Sequence, residues 1–193
     1  MKTRLKIGLI GEDPNDTTSI RNLLTRKYPN FFQFIQLIKN KKGYQLNNAR
    51  TDAALKIEFE EYKPDYVLFI RDADGLPSEE TKIEAIKKWY TKLNAIVGKK
   101  GILLINVYEL EALILADIET FNELYRTSIN FTRNCMHQKE PKEYLIQKTS
   151  KNSKVYSESH CPEIFERLRY DVLVANCAYF KEFNASINKL TTN

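Results

Sequence analysis

Apolar residues in this chain fall into short unbroken runs, and between the runs they recur at helical spacing. The first run, residues 5–10, is interrupted only by Lys6 and Gly8 and stops at Gly11. Polar residues follow, with Asn15 or Asp16 as the expected cap of a helix reaching Lys27, its apolar face built from Ile20, Leu23 and Leu24. Residues 31–38 (FFQFIQLI) predict a second strand, then a polar loop with Lys41-Lys42-Gly43 and a helix over 48–62. Pro64-Asp65 turns the chain into Tyr66-Val67-Leu68-Phe69-Ile70, the clearest buried strand, which ends in Arg71-Asp72-Ala73-Asp74-Gly75. A long helix from Pro77-Ser78 to about 97, a fourth strand over 102–107 and a short helix over 109–116 complete this part.

Strand and helix alternate, so the pattern predicts an α/β fold: a four-stranded parallel sheet covered by helices on both faces. Right-handed crossovers place the carboxyl ends of all strands along one edge. Beyond Asp117 only helical patterns are visible, near 118–126, 141–148, 161–169 and 178–190. The expected organisation is an α/β core over 1–117 and a helical extension over 118–193 packed on it.

Composition changes this picture little. The chain has 193 residues, 42% hydrophobic and 28% charged, the balance of an ordinary globular protein. No apolar stretch is long enough for a membrane helix, and the first run is too short for a signal peptide. Three widely spaced cysteines, Cys135, Cys161 and Cys177, read as free thiols in a reducing cytosol, so a cytoplasmic location is expected. The net charge of +5 is unevenly spread: Lys39-Asn40-Lys41-Lys42 is one cluster, and the stretch from Arg133 to Lys154 is basic. That excess favours polyanionic partners, although a solvated surface explains each cluster alone.

The candidate chemistry comes from where carboxylates fall on the predicted sheet. Glu12 follows strand one, Asp72 and Asp74 follow strand three, and Glu109 and Glu111 follow strand four, all on the same edge; Asp13 and Asp16 add charge beside Glu12. Crowded carboxylates repel, so such a cluster is expected to hold a cation, share protons or stay in open solvent. Hard oxygen ligands in an Asp-x-Asp arrangement suit Mg²⁺ or Mn²⁺. An isolated Asp-x-Asp after a strand is commonly a turn or cap; its combination with Gly-Glu after strand one carries the weight. There is no P-loop sequence, and His137 and His160 lie in the tail with no nucleophile-elbow motif.

These residues resemble a known family. Ile7-Gly8-Leu9-Ile10-Gly11-Glu12-Asp13-Pro14-Asn15-Asp16 is similar to the first motif of Toprim domains, a strand ending in Gly-Glu with an acid four positions on. Phe69-Ile70-Arg71-Asp72-Ala73-Asp74-Gly75 resembles the second. The stretch from Glu109 to Asp117, Pro141-Lys142-Glu143, Lys154 and the Phe180 to Phe183 helix resemble a bacterial Toprim-like family related to the overcoming-lysogenization-defect (OLD) nucleases. The resemblance implies a Mg²⁺- or Mn²⁺-dependent nuclease with Glu12, Asp72 and Asp74 as catalytic residues. The metal ligands would be Glu12, Asp16, Asp72, Asp74 and Glu111, with Asp16 and Glu111 completing a second position. It also implies nucleic acid as substrate and an ABC-type ATPase as partner in anti-phage defence; the oligomeric state is left open, with a homo-oligomer among the options. Lys148 and Lys154 are the candidate phosphate-binding residues. Asp13 departs from the glycine usual after the first Glu, and Leu113 stands in place of a tryptophan. The competing reading is a non-catalytic binding or regulatory module docking on an ATPase or nucleic acid. A receiver-like phosphoacceptor is disfavoured, because strand four leads into Tyr108-Glu109-Leu110-Glu111 and no fifth strand carries a lysine.

Overall fold

The computed structural model describes residues 4–39, 46 and 48–192; the predicted Lys41-Lys42-Gly43 loop, and with it most of the Lys39–Lys42 cluster, lies outside the described residues. Four strands, β1 (Leu5–Ile10), β2 (Phe32–Gln36), β3 (Tyr66–Asp72) and β4 (Gly101–Asn106), form one parallel sheet in the order β2-β1-β3-β4. Between them run α1 (Pro14–Lys27), α2 (Ala49–Tyr62) and α3 (Glu80–Ile96). Six helices follow: α4 (Glu111–Ala116), α5 (Ile118–Tyr125), α6 (Pro141–Thr149), α7 (Cys161–Phe165), α8 (Tyr170–Asn176) and α9 (Ala178–Thr191). This is the expected α/β class with an all-parallel sheet, flanking helices and a helical C-terminal part.

Strand alternation sorts the core into two faces. Ile7 and Leu9 of β1, Leu68 and Ile70 of β3, and Ile102 and Leu104 of β4 pack against α1 and the C-terminal helices, including Phe121, Phe165, Phe180 and Phe183. Ile10, Val67 and Phe69 face the opposite side, against Leu55 of α2 and Leu93 of α3. The extension therefore covers one face of the sheet and shares that face's core with α1. Among the described residues no helix is long and apolar enough to cross a membrane.

Two departures from the sequence pattern have local causes. β3 runs beyond its apolar residues to Asp72, because Arg71 and Asp72 still pair with Ile105 and Asn106 of β4. The helix expected over 161–169 stops at Phe165 as α7, and after a turn α8 (Tyr170–Asn176), which the pattern did not predict, begins. Arg169 separates the two: extended at ψ 103°, it donates its backbone N–H to Asp117 Oδ2 at 2.7 Å. Its guanidinium also binds that carboxylate, through Nε at 3.0 Å and Nη2 at 2.5 Å, and Thr120 Oγ1 donates at 2.8 Å. Burial disfavours the Asp117 charge, but the hydrogen bonds from Arg169 and Thr120 prevail and hold its carboxyl below the usual range. Asp117 closes the 1–117 segment, so this contact ties its end to the tail. Replacing Asp117 with Ala is expected to cost roughly 2 kcal/mol, since it removes the buried acceptor of the Arg169 and Thr120 hydrogen bonds while Arg169 keeps Glu119. Urea unfolding checks this; a change under about 1 kcal/mol would make the contact incidental.

Candidate metal centre at the sheet edge

The sheet order places β1 beside β3 and β3 beside β4, so the loops after three strands open onto one crevice. Gly11 lets α1 approach the end of β1 closely. A Cβ there would sit 2.7 Å from Cγ2 of Thr17, which is 1% exposed and cannot easily move. Pro14 occupies the first turn of α1, and Asp13, not the expected Asn15 or Asp16, caps it by accepting from the Asn15 N–H at 2.7 Å. Asp13 is thereby committed to the backbone. Asp16, displaced one step into the first turn, is buried at 7% exposure.

Asp16 lies within electrostatic reach of Asp72 and Glu111 on the sheet face covered by α1 and the C-terminal helices. Asp72 accepts a hydrogen bond from Asn106 Nδ2 at 2.9 Å, and Asn106 is itself 2% exposed. Glu111, 3% exposed at the start of α4, accepts from the Tyr156 hydroxyl at 2.7 Å. Tyr156 lies 3.0 Å from Cys161 Sγ, and its ring is held edge-on to Phe121. The tail thus supplies the partner that orients a core carboxylate.

Charge repulsion is visible in every acid of this group. Burial, then Asp13, Glu111 and Glu12, push the Asp16 carboxyl up to about 8. Burial first, and then Asp16, drive Asp72 well above the carboxylate range, with Asn106 opposing the rise. Glu111 is raised by burial against the pull of Tyr156. Glu12 is raised by burial, lowered by Arg71 and raised again by Asp74.

Glu12 and Asp74 stand differently from the expectation. Glu12 Oε1 turns to the other side of the sheet, 2.7 Å from Arg71 Nε, whose guanidinium lies 5.1 Å from the centre of the Trp89 ring of α3. Arg71 and Glu12 form an ion pair, and the Asp72 backbone N–H also hydrogen-bonds the Glu12 carboxylate. Asp74 is exposed in a left-handed conformation at φ 49°, its N–H bonded to Tyr108 O and its carbonyl to Lys82 Nζ. Asp16, Asp72 and Glu111 are therefore the inner group, with Glu12 at its margin and Asp74 outside.

Lys148 and Lys154 have other partners. Lys148 lies over the Tyr144 ring at 5.3 Å and lines a separate surface cavity with Arg126 and Asn152. Lys154 pairs with Glu163 at 3.6 Å and lies over the Tyr125 ring. The lysine that reaches the crevice is Lys142, paired with Glu109 at 3.2 Å and Glu158 at 3.7 Å and interacting electrostatically with Glu111. Sequence reasoning passed over Asn106, although a polar residue ending an apolar strand on this edge was a usable signal. Tyr156 and Cys161 carried no such signal.

The donor set is chemically suited to a hard divalent cation: carboxylates from three segments, plus an Asn106 Oδ1 that is buried and without a hydrogen-bond partner. Among the described residues, no three Asp, Glu, His or Cys side chains stand close enough to enclose an ion as they are. Holding one would require Glu12 to leave Arg71 and the inner acids to draw together.

Residues 11–188 match the family model described as Domain of unknown function (DUF4276). The chain belongs to the DUF4276 family. The matched span takes in α1 to α8, most of α9 and every acid of the crevice. No curated protein and no solved structure matches the chain.

If the Tyr156 hydroxyl orients Glu111 for an ion, this DUF4276 protein should bind Mn²⁺ roughly tenfold more weakly after Tyr156→Phe, with the ring packing kept and a stability cost of about 1–2 kcal/mol for the lost hydrogen bond to buried Glu111. Unchanged Mn²⁺ affinity by titration calorimetry would reduce Tyr156 to a packing role.

Proposed function

We propose that this protein is a Toprim-like, divalent-metal-dependent nuclease that hydrolyses phosphodiester bonds in DNA or RNA. One observation carries the reading: buried Asp16 and Glu111 and half-buried Asp72 gather at the carboxyl edge of a parallel sheet, where burial and mutual repulsion raise the Asp16 and Asp72 carboxyls and leave a counter-charge to be supplied. A cation supplies that charge, and the resemblance of the Glu12 and Asp72-Ala73-Asp74 segments to Toprim motifs supports what it would be used for.

Asp72, Asp16 and Glu111 would hold Mg²⁺ or Mn²⁺, joined by Glu12 and by the Asn106 amide oxygen. The ion supplies charge neutralisation at the scissile phosphate and acidifies its bound water. Glu12, with a carboxyl raised by burial and lying at the rim, would exchange the proton with that water or with the leaving oxygen. Tyr156 and Asn106 would hold Glu111 and Asp72 in orientation. Nucleic acid is the proposed substrate; an ABC-type ATPase partner, and service in anti-phage defence, extend the same resemblance. A cytoplasmic setting accords with the three free cysteines.

The test is cleavage of labelled single- and double-stranded DNA and RNA with Mg²⁺ or Mn²⁺, comparing wild type with Glu12→Ala and Asp72→Asn. The expected result is metal-dependent cleavage in wild type alone. Equal cleavage by all three proteins would overturn the reading. Metal binding without cleavage, joined to a stable complex with an ATPase, would instead favour the regulatory module.

A further inference from the structure

Residues 126–130, which follow α5, and the C-terminal end of α6 border a cavity of about 540 Å³, lined by Arg126, Thr127, Ser128, Asn130, Lys148 and Asn152 together with Ile129. That is the size of a small-ligand cleft. No Asp or Glu lines it among the described residues.

The loop around it is fixed by Asn122 of α5. The Asn122 carbonyl accepts the N–H groups of Arg126 and Thr127. Its side chain accepts from the Thr127 hydroxyl at 2.6 Å and the Ile129 N–H at 3.0 Å, and donates to the Ile129 carbonyl at 2.9 Å. Asn152 donates to the Tyr125 carbonyl at 3.1 Å. These bonds hold Arg126 in its left-handed conformation at φ 52°. They also give carbonyls at the end of α5 their partners, so these do not compete for the nearby cations.

What the loop leaves over is cationic and polar. Among the described residues neither Arg126 nor Lys148 is paired with an acid, and Lys148 has only the Tyr144 ring. Elsewhere in the tail Lys142 is paired with Glu109 and Glu158, Lys154 with Glu163, and Arg169 with Asp117 and Glu119. The exposed side chains of Ser128 and Asn130 also lack intramolecular hydrogen bonds among the described residues.

We infer that this cavity is a phosphate-binding site, with Arg126 and Lys148 as its charged anchors and Ser128 and Asn130 as further donors. Two cations bordering one cavity repel each other, and an anion seated between them turns that repulsion into attraction. The planar guanidinium matches two phosphate oxygens, the ammonium supplies a point charge, and the hydroxyl and amide each donate a hydrogen bond. The site stands apart from the acidic crevice and needs no metal. A phosphate belonging to nucleic acid would be gripped here away from the reacting bond, adding affinity without chemistry.

Two probes test this in EDTA, so that the outcome does not depend on the crevice. Inorganic phosphate is titrated by calorimetry, and a labelled single-stranded oligonucleotide by fluorescence anisotropy at several salt concentrations. Arg126→Gln and Lys148→Gln should each weaken binding several-fold, and Ser128→Asp, which puts a carboxylate into the cavity, should abolish phosphate binding. All three positions are exposed, and thermal melts check that each variant folds. Lys56→Gln combined with Lys99→Gln removes the charge of both anchors elsewhere on the chain and should leave binding within about twofold of wild type. If the occupant is a polynucleotide, each anchor variant should also lower the salt slope of oligonucleotide binding by about 1. Loss of phosphate binding alone would make it a small phosphorylated molecule. Equal weakening by the Lys56 and Lys99 changes would reduce the effect to general surface charge and overturn the inference, as would anchor variants that alter neither probe.

Discussion

Without divalent metal, the protein is expected to lose stability steadily as pH rises from about 4 to about 8, and millimolar Mg²⁺ should abolish most of that loss. The sign follows from proton binding. Asp16 is raised from 3.8 to about 8, so between those values the native state holds a proton that the unfolded chain has released. A state that binds more protons is stabilised at low pH and loses that advantage as the pH climbs through its own pKa. Asp72, Glu111 and Glu12 shift in the same direction, so the contributions reinforce one another. Because these acids titrate as a group, the summed effect is taken as only a few kcal/mol, or about 10 °C in melting temperature. An ion replaces the protons as the compensating charge, and at about a hundred times its Kd contributes roughly 2.7 kcal/mol. Calorimetric melts at several pH values, with EDTA and with Mg²⁺, measure both. A flat metal-free profile would mean the acids are not crowded as described.

Asp72→Asn should separate stability from function. The amide is nearly isosteric and its oxygen can still accept from Asn106 Nδ2, so the packing around β3 and β4 is preserved. Removing the charge relieves repulsion with Asp16, Glu12 and Glu111. The metal-free variant is therefore expected to melt several degrees above wild type at pH 8, an increase of roughly 1–2 kcal/mol. The same change removes a proposed ligand, so the stabilisation by Mg²⁺ should disappear and the proposed cleavage should fall at least ~100-fold. Such a gain in stability at the expense of activity is characteristic of functional sites. A variant that melts lower than wild type at pH 8 would show that the Asp72 carboxylate has a structural role instead.

The architecture was largely readable from the sequence, because hydrophobic runs and helical spacing report directly on which face is buried. The parallel sheet, its carboxyl edge and the convergence of acids from β1, β3 and β4 all follow from that pattern. What escaped it depended on side-chain direction and on tertiary competition. Asp13 became the cap of α1 because Pro14 fixes the first turn, and this moved Asp16 inward. Arg71 and Asp72 are neighbours in sequence yet face opposite layers, so Glu12 pairs with Arg71 on one side while Asp72 lies with the inner acids on the other. The turn after β3 is fixed by backbone bonds to Tyr108 and Lys82, which leaves Asp74 exposed. The basic tail could not be resolved into roles, since whether Lys142, Lys148 or Lys154 reaches the crevice depends on how α6 and α7 pack. Tyr156 and Asp117 were invisible for the same reason: each partner is more than forty residues away.

The central claim is that the acids of this crevice hold a divalent cation, and a Mn²⁺ titration of wild type beside Asp72→Asn tests it most directly. The account predicts at least one ion bound by wild type at sub-millimolar concentration, with affinity reduced tenfold or more in the variant. No binding at millimolar Mn²⁺, or equal binding by the two proteins, would contradict it.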